Sequence, residues 1–466
     1  MFGSELSPYF TNDAITLGIL IVILAVIFHT SGLESKGWKK FYTFFPSLLL
    51  AYFIPALCNW PLGLIAPHWF DSGLLDLLAN KNISLPSGLT YDEINEFLST
   101  QGLEKSEYVG FQRHSQLYFV ASRYLLPASL ILLCLGIDFK SVINLGPKAL
   151  IMFFTATVGI ILGGPIALLV ISFVAPDVIN ANPDDIWRGL STIAGSWIGG
   201  GANQTAMKEI YEVKDNLFGT MIVVDVIVAN IWMGFLLYGA SISNKIDHWL
   251  KADNSAIEDL KKRVEDYRDS ISQMPTTTSL FVLLGIAFGG VALSHWGKDV
   301  ITPFMGQFKE TLVRFRLNSL MSGFFWLIVI STTFGMLLSV TRFRKLEGIG
   351  ASTWGSIFIY ILVVTIGMKM NIGEVIKNLG LFSIGFIWML VHVILLLVVA
   401  KLIKAPFFFV AVGSQANVGG AASAPIVASA FSPSLAPVGV LMAVLGYALG
   451  TYGAIICATL MQIVST

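Results

Sequence analysis

Apolar residues run along this chain in long blocks rather than in strict alternation. Stretches of about 18–25 mostly apolar residues, the length that crosses the hydrocarbon layer of a bilayer, recur at 14–32, 41–59, 116–136, 149–175 and 216–240. Five more follow at 278–297, 319–341, 351–369, 379–400 and 434–463. Each block predicts a transmembrane helix. Two further apolar stretches, 186–207 and 406–430, are interrupted by glycine and uncharged polar residues and predict broken segments.

The polar positions between the blocks carry orientation. Lys36, Lys39 and Lys40 follow the first span, and Lys140 and Lys148 follow the third, so both loops are expected in the cytoplasm. The segment 60–113 is acidic on balance, with Asp71, Asp76, Asp92, Glu93, Glu96, Glu104 and Glu107. It reads as a small outside cap with short helices such as 91–99. The loop 176–185 carries Asp177, Asp184 and Asp185 and no basic residue, which also fits outside. Segment 241–277 spaces Ile257, Leu260, Val264 and Ile271 at helical intervals among mixed charges. It is either an amphipathic helix at the membrane surface or a plain charged linker. No Lys or Arg precedes the first apolar run, whereas Glu5 and Asp13 do, so that run is expected to be a retained span and not a cleaved leader.

Composition strengthens this picture. Of the 466 residues 55% are hydrophobic and 12% charged, about half the ~25% charged fraction of soluble proteins. The expected class is an all-α membrane protein in a lipid bilayer, placed in a bacterial cytoplasmic (inner) membrane. Lys plus Arg equals Asp plus Glu at 29 each, which points to no nucleic acid or other polyanion. Cys58, Cys134 and Cys457 show no metal or disulfide spacing.

The two broken segments resemble each other. One reads Gly195-Ser196-Trp197-Ile198-Gly199-Gly200-Gly201-Ala202-Asn203-Gln204-Thr205, the other Gly413-Ser414-Gln415-Ala416-Asn417-Val418-Gly419-Gly420-Ala421. Each follows the fourth full span of its half and precedes the fifth, so the chain contains an internal repeat. Consecutive glycines are poor helix interior, at about 1 kcal/mol each relative to Ala. Irregular backbone at membrane depth is tolerated only inside protein or along a cavity. A re-entrant hairpin or broken helix is therefore expected at 199–201 and at 419–420. Hairpins would leave five crossings per half, and an odd number inverts one half against the other. The halves are then 1–240 and 278–466, joined by a cytoplasmic linker at 241–277. Paired interruptions in two halves mark transporter binding sites, although close packing through small residues also produces them. The candidate substrate-binding residues are Ser196, Gly200, Gly201, Asn203, Gln204 and Thr205, with Ser414, Gln415, Asn417, Gly419 and Gly420.

The stretch 195–205 and the following Val223-Val224-Asp225-Val226-Ile227-Val228-Ala229-Asn230 resemble the YjcL-like family of uncharacterised membrane proteins. The layout is more remotely similar to the sodium–glutamate symporter and 2-hydroxycarboxylate transporter families. That likeness implies two inverted five-span halves with glycine-rich re-entrant loops, and a cation-coupled secondary transporter that works as a homodimer. The strict Gly-Gly-x-Gly pattern of the glutamate symporters is not reproduced: Ala202 follows 199–201 and Ala421 follows 419–420. The substrate is therefore not carried over.

Ionisable residues inside spans are costly and point to function by default. Asp225 sits about ten residues from either end of its apolar block and is the candidate for the coupling ion, sodium or a proton, with Asn230 beside it. A structural ion pair or a helix-end hydrogen bond is the plainer reading. Arg123 can snorkel outward, bind an anionic solute or pair with Asp225. His392 reads as a satisfied bundle histidine, Pro165 as a kink, and Tyr447 and Tyr452 as packing or cavity lining. Ser331, Thr332 and Thr333 read as hydroxyls bonded to their own helix. No HExxH, GxSxG, P-loop or paired intramembrane aspartate is present, so neither enzyme activity nor ATP-driven pumping is expected, and no cofactor beyond the ion. The function expected is cation-coupled transport of an amino acid, short peptide or organic acid. An ion channel with re-entrant loops is the alternative.

Overall fold

The computed structural model describes residues 6–45, 47–89, 91–137, 143, 145–174, 182–253, 274–314, 318–369, 380–432 and 435–465. The positions Ile257, Leu260, Val264 and Ile271, and the loop residues Lys140, Asp177 and Arg316, lie outside them. The chain divides into two compact units.

The first unit comprises 1–125 and 360–374. It begins with α1 (Asp13–Ser31), α2 (Lys36–Phe44) and α3 (Ser47–Asn59). On α1 the buried positions Thr16, Leu20, Leu24 and Ile27 form one stripe, while Ile15, Val22 and Val26 point outward. An apolar outward face is what lipid requires. The block 41–59, expected as one span, is divided between α2 and α3. Pro46 explains the division: it lacks an N–H and disfavours helix at the preceding residue, and Phe45 has left the helix with ψ 81°. The acidic segment folds around β1 (His68–Phe70), α4 (Gly73–Asn80), α5 (Tyr91–Thr100) and β2 (Gln112–His114). The strands pair antiparallel with His68 opposite His114. Phe70, Leu74, Leu78, Ile94, Leu98, Leu103 and Tyr108 make a separate small core.

The span Leu117–Leu135, α6, has a π-helical turn at Ala121–Leu125. The second unit comprises 126–359 and 375–466. Its helices are α7 (Pro147–Val174), α8 (Pro183–Ile210), α9 (Asp215–Ser241), α10 (Ser243–Leu250), α11 (Thr277–Gly306) and α12 (Gly323–Ser339). Then come α13 (Ala351–Gly367), which runs into the first unit, and α14 (Gly380–Leu402), α15 (Phe407–Val418), α16 (Gly420–Phe431) and α17 (Ala436–Val464). On α14, Leu390, Ile394, Val398 and Leu402 are exposed at four-residue spacing, while Trp388, His392, Leu396 and Ala400 are buried. Such two-faced apolar helices have lipid on one side and protein on the other.

Among the described residues, seven helices are long and apolar enough to cross a membrane, eight if a bent pair counts as one span. Ten full spans were expected. The block 319–341 is that bent pair: α12 stops at Ser339, and the 3-10 helix Arg342–Ile349 leaves it at 97°. The helices from the blocks 41–59 and 351–369 have 13 and 17 residues, too short by that measure.

Candidate functional site

The first broken segment is α8, which turns back on itself. Gly200 has φ 75° and ψ −172°, a conformation closed to side chains with a Cβ. Residues on either side of it face each other. A Cβ on Gly195 would stand 2.6 Å from the Asn203 carbonyl oxygen. Further from the turn, the Arg188 guanidinium donates to the Tyr211 carbonyl (2.9 Å), and the Trp187 and Tyr211 rings meet edge to face at 5.3 Å. In a straight helix residues 188 and 211 would be about 35 Å apart. The segment is a helical hairpin with its tip at Gly200.

The second segment repeats the plan. Gly420 has φ 60°, and α15 and α16 fold together on either side of it. Gln415 Nε2 donates to Ser423 Oγ across the arms (2.7 Å), and the Phe408 and Phe431 rings meet at the open end.

The mouths of the two hairpins lie at opposite ends of α9. At the Asp215 end, Lys208 of the first hairpin is buried, with Nζ 2.9 Å from Asp215 Oδ1 and 3.4 Å from Glu209 Oε1, over the Phe218 ring. Beside it, Lys214 pairs with Asp185 and Arg188 with Asp184. Beyond the other end, Asp247 of α10 accepts from the backbone N–H of Phe407, where the second hairpin begins (2.7 Å). Lys148 bonds Asp253, whose N–H donates to the Lys404 carbonyl. The 27 residues of α9 span about 40 Å.

Between those ends α9 touches both hairpins. Asp225, buried, accepts three hydrogen bonds: from Ser196 Oγ (2.6 Å), Trp197 Nε1 (2.6 Å) and Gln204 Nε2 (2.9 Å). It thereby joins the two arms of the first hairpin. Seven residues on, Trp232 Nε1 donates to Ser414 Oγ of the second hairpin (2.8 Å). His392 of α14 stands on the same hydroxyl through Nε2 (2.8 Å), and its Nδ1 faces the Ala156 carbonyl (3.1 Å). Because a carbonyl only accepts, Nδ1 carries the proton and Nε2 takes the Ser414 hydroxyl hydrogen.

Helix α17 runs past both tips. A Cβ on Gly446 would lie 2.5 Å from the Ile198 carbonyl oxygen and 3.6 Å from that of Ala416. One point beside α17 is thus close to both hairpins. The tip asparagines are tied down in matching ways. Asn203 Nδ2 donates to its own Gly199 carbonyl and its Oδ1 accepts from Thr451 of α17 (2.6 Å). Asn417 Nδ2 donates to its own Gly413 carbonyl and its Oδ1 accepts from Thr157 of α7 (2.8 Å).

The remaining expected residues divide clearly. Ser196, Gln204 and Asp225 come together. Gly200, Gly201, Gly419 and Gly420 form the tips. Thr205 bonds the carbonyls of Gly201 and Ala202 in its own helix. Asn230 bonds the Val226 carbonyl one turn back and does not touch Asp225. Arg123 lies in the first unit, in the π-helical turn of α6. His392 has both ring nitrogens satisfied, and Tyr452 OH meets Thr333 Oγ1. Two participants escaped sequence reasoning. Trp197 carried a signal, since an indole N–H at membrane depth beside Gly-Ser needs an acceptor. Lys208 stands next to Glu209 and seven residues before Asp215 in a mixed-charge stretch that reads as a loop, and its burial is visible only in the fold.

Residues 93–464 match the family described as "Protein of unknown function (DUF819)". The chain is also 24% identical over 342 residues to "Uncharacterized membrane protein YjcL" of Bacillus subtilis (strain 168), covering 72% of this chain and 82% of that one. The chain belongs to the DUF819 family and is an integral membrane protein.

Proposed function

Starting from a multi-span membrane protein of this family, we propose that the chain is a secondary transporter of a small polar solute. It consists of two inverted halves, and the solute binds where the hairpin tips approach α17. The observation that carries this reading is the opposed pair of hairpins. Their mouths lie at opposite ends of α9 and their tips approach one point beside Gly446. Broken helices at the midplane expose helix ends of both signs to a ligand. The loop 176–185 before the first mouth carries no basic residue and fits the outside, where Arg188, Lys208 and Lys214 are each paired with a carboxylate, and Lys148 and Lys404 at the second mouth fit the cytoplasm. A filter needs like loops around one axis. These two loops differ, since only one encloses a carboxylate, and that favours a transporter over a channel.

The coupling ion is a proton on Asp225. Two of its three partners, Trp197 Nε1 and Gln204 Nε2, present hydrogens, whereas sodium needs oxygen lone pairs. A proton on Oδ1 would face the Trp197 N–H, hydrogen against hydrogen, and open that contact. A proton on Oδ2 can be accepted by Ser196, whose hydroxyl donates or accepts. In either case protonation removes the charge that strengthens the Trp197 and Gln204 hydrogen bonds, and so loosens α9 from the first hairpin. The homodimer is part of this proposal, and light scattering of the purified protein in detergent checks it.

The test is a thermal-shift titration of sodium against choline at constant ionic strength and two pH values, on wild type and Asp225→Asn. Ligands that bind only the folded state raise its stability. Proton coupling predicts a component of the Tm–pH profile that Asp225→Asn removes, without sodium specificity. Sodium-specific stabilisation lost in the variant would replace the proton by sodium. Identical responses in both proteins would remove Asp225 from coupling.

A further inference from the structure

We propose that the side-chain oxygens of Gln204 and Gln415 recognise the solute, and that the solute presents nitrogen-bound hydrogens to them, as an ammonium group does. This rests on the transporter reading. Both glutamines are buried, at 0% and 2% exposure. The amide nitrogen of each is engaged, Gln204 with Asp225 and Gln415 with Ser423. The oxygen of each is buried and has no hydrogen-bond partner among the described residues. A buried acceptor left unpaired loses its full hydration with nothing in return, and native interiors rarely keep one. Asp13 Oδ1 and Thr302 Oγ1 are further cases elsewhere, but these two stand one in each hairpin, four positions from Gly200 and five from Gly420.

Chemistry fixes the direction of Gln204. Its NH2 faces a carboxylate, so its oxygen must face away. The other polar groups at the tips are committed. Ser196 and Trp197 bond Asp225, Asn203 and Asn417 bond Thr451 and Thr157, and Ser414 lies between Trp232 and His392. Neither 195–205 nor 413–424 contains Lys or Arg. Beside the helix ends, which can meet a carboxylate, the unpaired side-chain groups these segments offer are the two glutamine oxygens, and they favour a solute that also brings a donor or a cation over one bearing carboxylates alone. Gln204 also spans the proton site and the solute, with its nitrogen on Asp225 and its oxygen toward the ligand. One carboxamide thus links the two occupancies.

The test uses the full-length purified protein and measures Tm with methylammonium, glycine, succinate or sodium, each against choline at constant ionic strength. Wild type, Gln415→Met and Gln204→Met are compared. Gln415→Met keeps the side-chain length and loses only the Ser423 contact, so it remains informative if Gln204→Met, which also strips a donor from Asp225, fails to fold. The expected result is stabilisation by methylammonium and glycine, weakened about tenfold in apparent affinity by Gln415→Met, as for one lost hydrogen bond. Stabilisation by succinate alone, by sodium alone, by no probe, or equally in wild type and Gln415→Met would overturn the proposal. A wild-type pH response that depends on Asp225 would survive each of those outcomes, so the transporter reading fails or stands separately.

Discussion

Both hairpins turn at a glycine of positive φ, and both carry an asparagine, a glutamine and a serine within six residues of the turn. They differ in what stands between their arms. In the first, the carboxylate of Asp225 enters from α9 and collects Ser196 and Trp197 from one arm and Gln204 from the other. In the second, Gln415 reaches Ser423 directly, and the outer link is the neutral chain Trp232–Ser414–His392. Two loops of similar sequence thus receive different locks, one that a proton can alter and one of neutral groups. Under the proposed transport mechanism, the first hairpin carries ion coupling and the second shares the grip on the solute.

The comparison breaks most sharply at its carboxylate. Asp225→Ala strands three buried donors and should cost about 3 kcal/mol or more, whereas Ser423→Ala should cost about 1 kcal/mol. Equal losses in thermal or denaturant unfolding would erase the distinction between the locks. Next in size is the contact with α17. Gly450→Ala puts a Cβ 2.5 Å from the Gly199 Cα and should cost about 1–3 kcal/mol. Gly201→Ala meets nothing within 4 Å and should stay within about 0.5 kcal/mol. The turns themselves come third. Gly420→Ala meets no atom, only the left-handed backbone, and should cost about 1 kcal/mol. Gly200→Ala should cost more, because φ 75° with ψ −172° is glycine territory.

The smallest effect concerns the mouth of the second hairpin. Burial raises the Asp247 carboxyl above its ordinary value, partly offset by the Phe407 N–H. A raised carboxylate penalises the folded state while ionised, and the penalty fades as pH falls through the folded value toward the unfolded one. Stability should therefore rise slightly on acidification across that window. Asp247→Asn should flatten this part of the Tm–pH profile, and an unchanged profile would show the group to be irrelevant.

The sequence makes the breaks legible for a physical reason. Three consecutive glycines at 199–201 and two at 419–420 cannot hold a helix cheaply, and the turns fall at Gly200 and Gly420. Asp225 is legible because a lone carboxylate in an apolar block demands an explanation. The partners are harder to read. Trp197 faces Asp225 while Asn230, only five residues from it, bonds its own helix, and only the rotation of α9 against α8 separates the two. The 97° bend after Ser339 has no Gly or Pro at the break in Val340-Thr341, so hydropathy carries the expected span through it. The compact units likewise cross the sequence repeat, since 360–374 belong with the amino-terminal residues through contacts that periodicity does not encode.

Hairpins that open to opposite faces put their two mouths within reach of reagents on opposite sides of the membrane. Cys58 is replaced by Ser, while the buried Cys134 and Cys457 are kept. Lys214→Cys, at the first mouth, and Lys404→Cys, at the second, are then labelled separately with a membrane-impermeant maleimide in intact cells and in inverted vesicles. Both lysines are exposed. Opposed mouths give labelling of position 214 in intact cells and of position 404 in inverted vesicles. Labelling of both positions from one face would place both mouths on the same side and contradict the opposed arrangement.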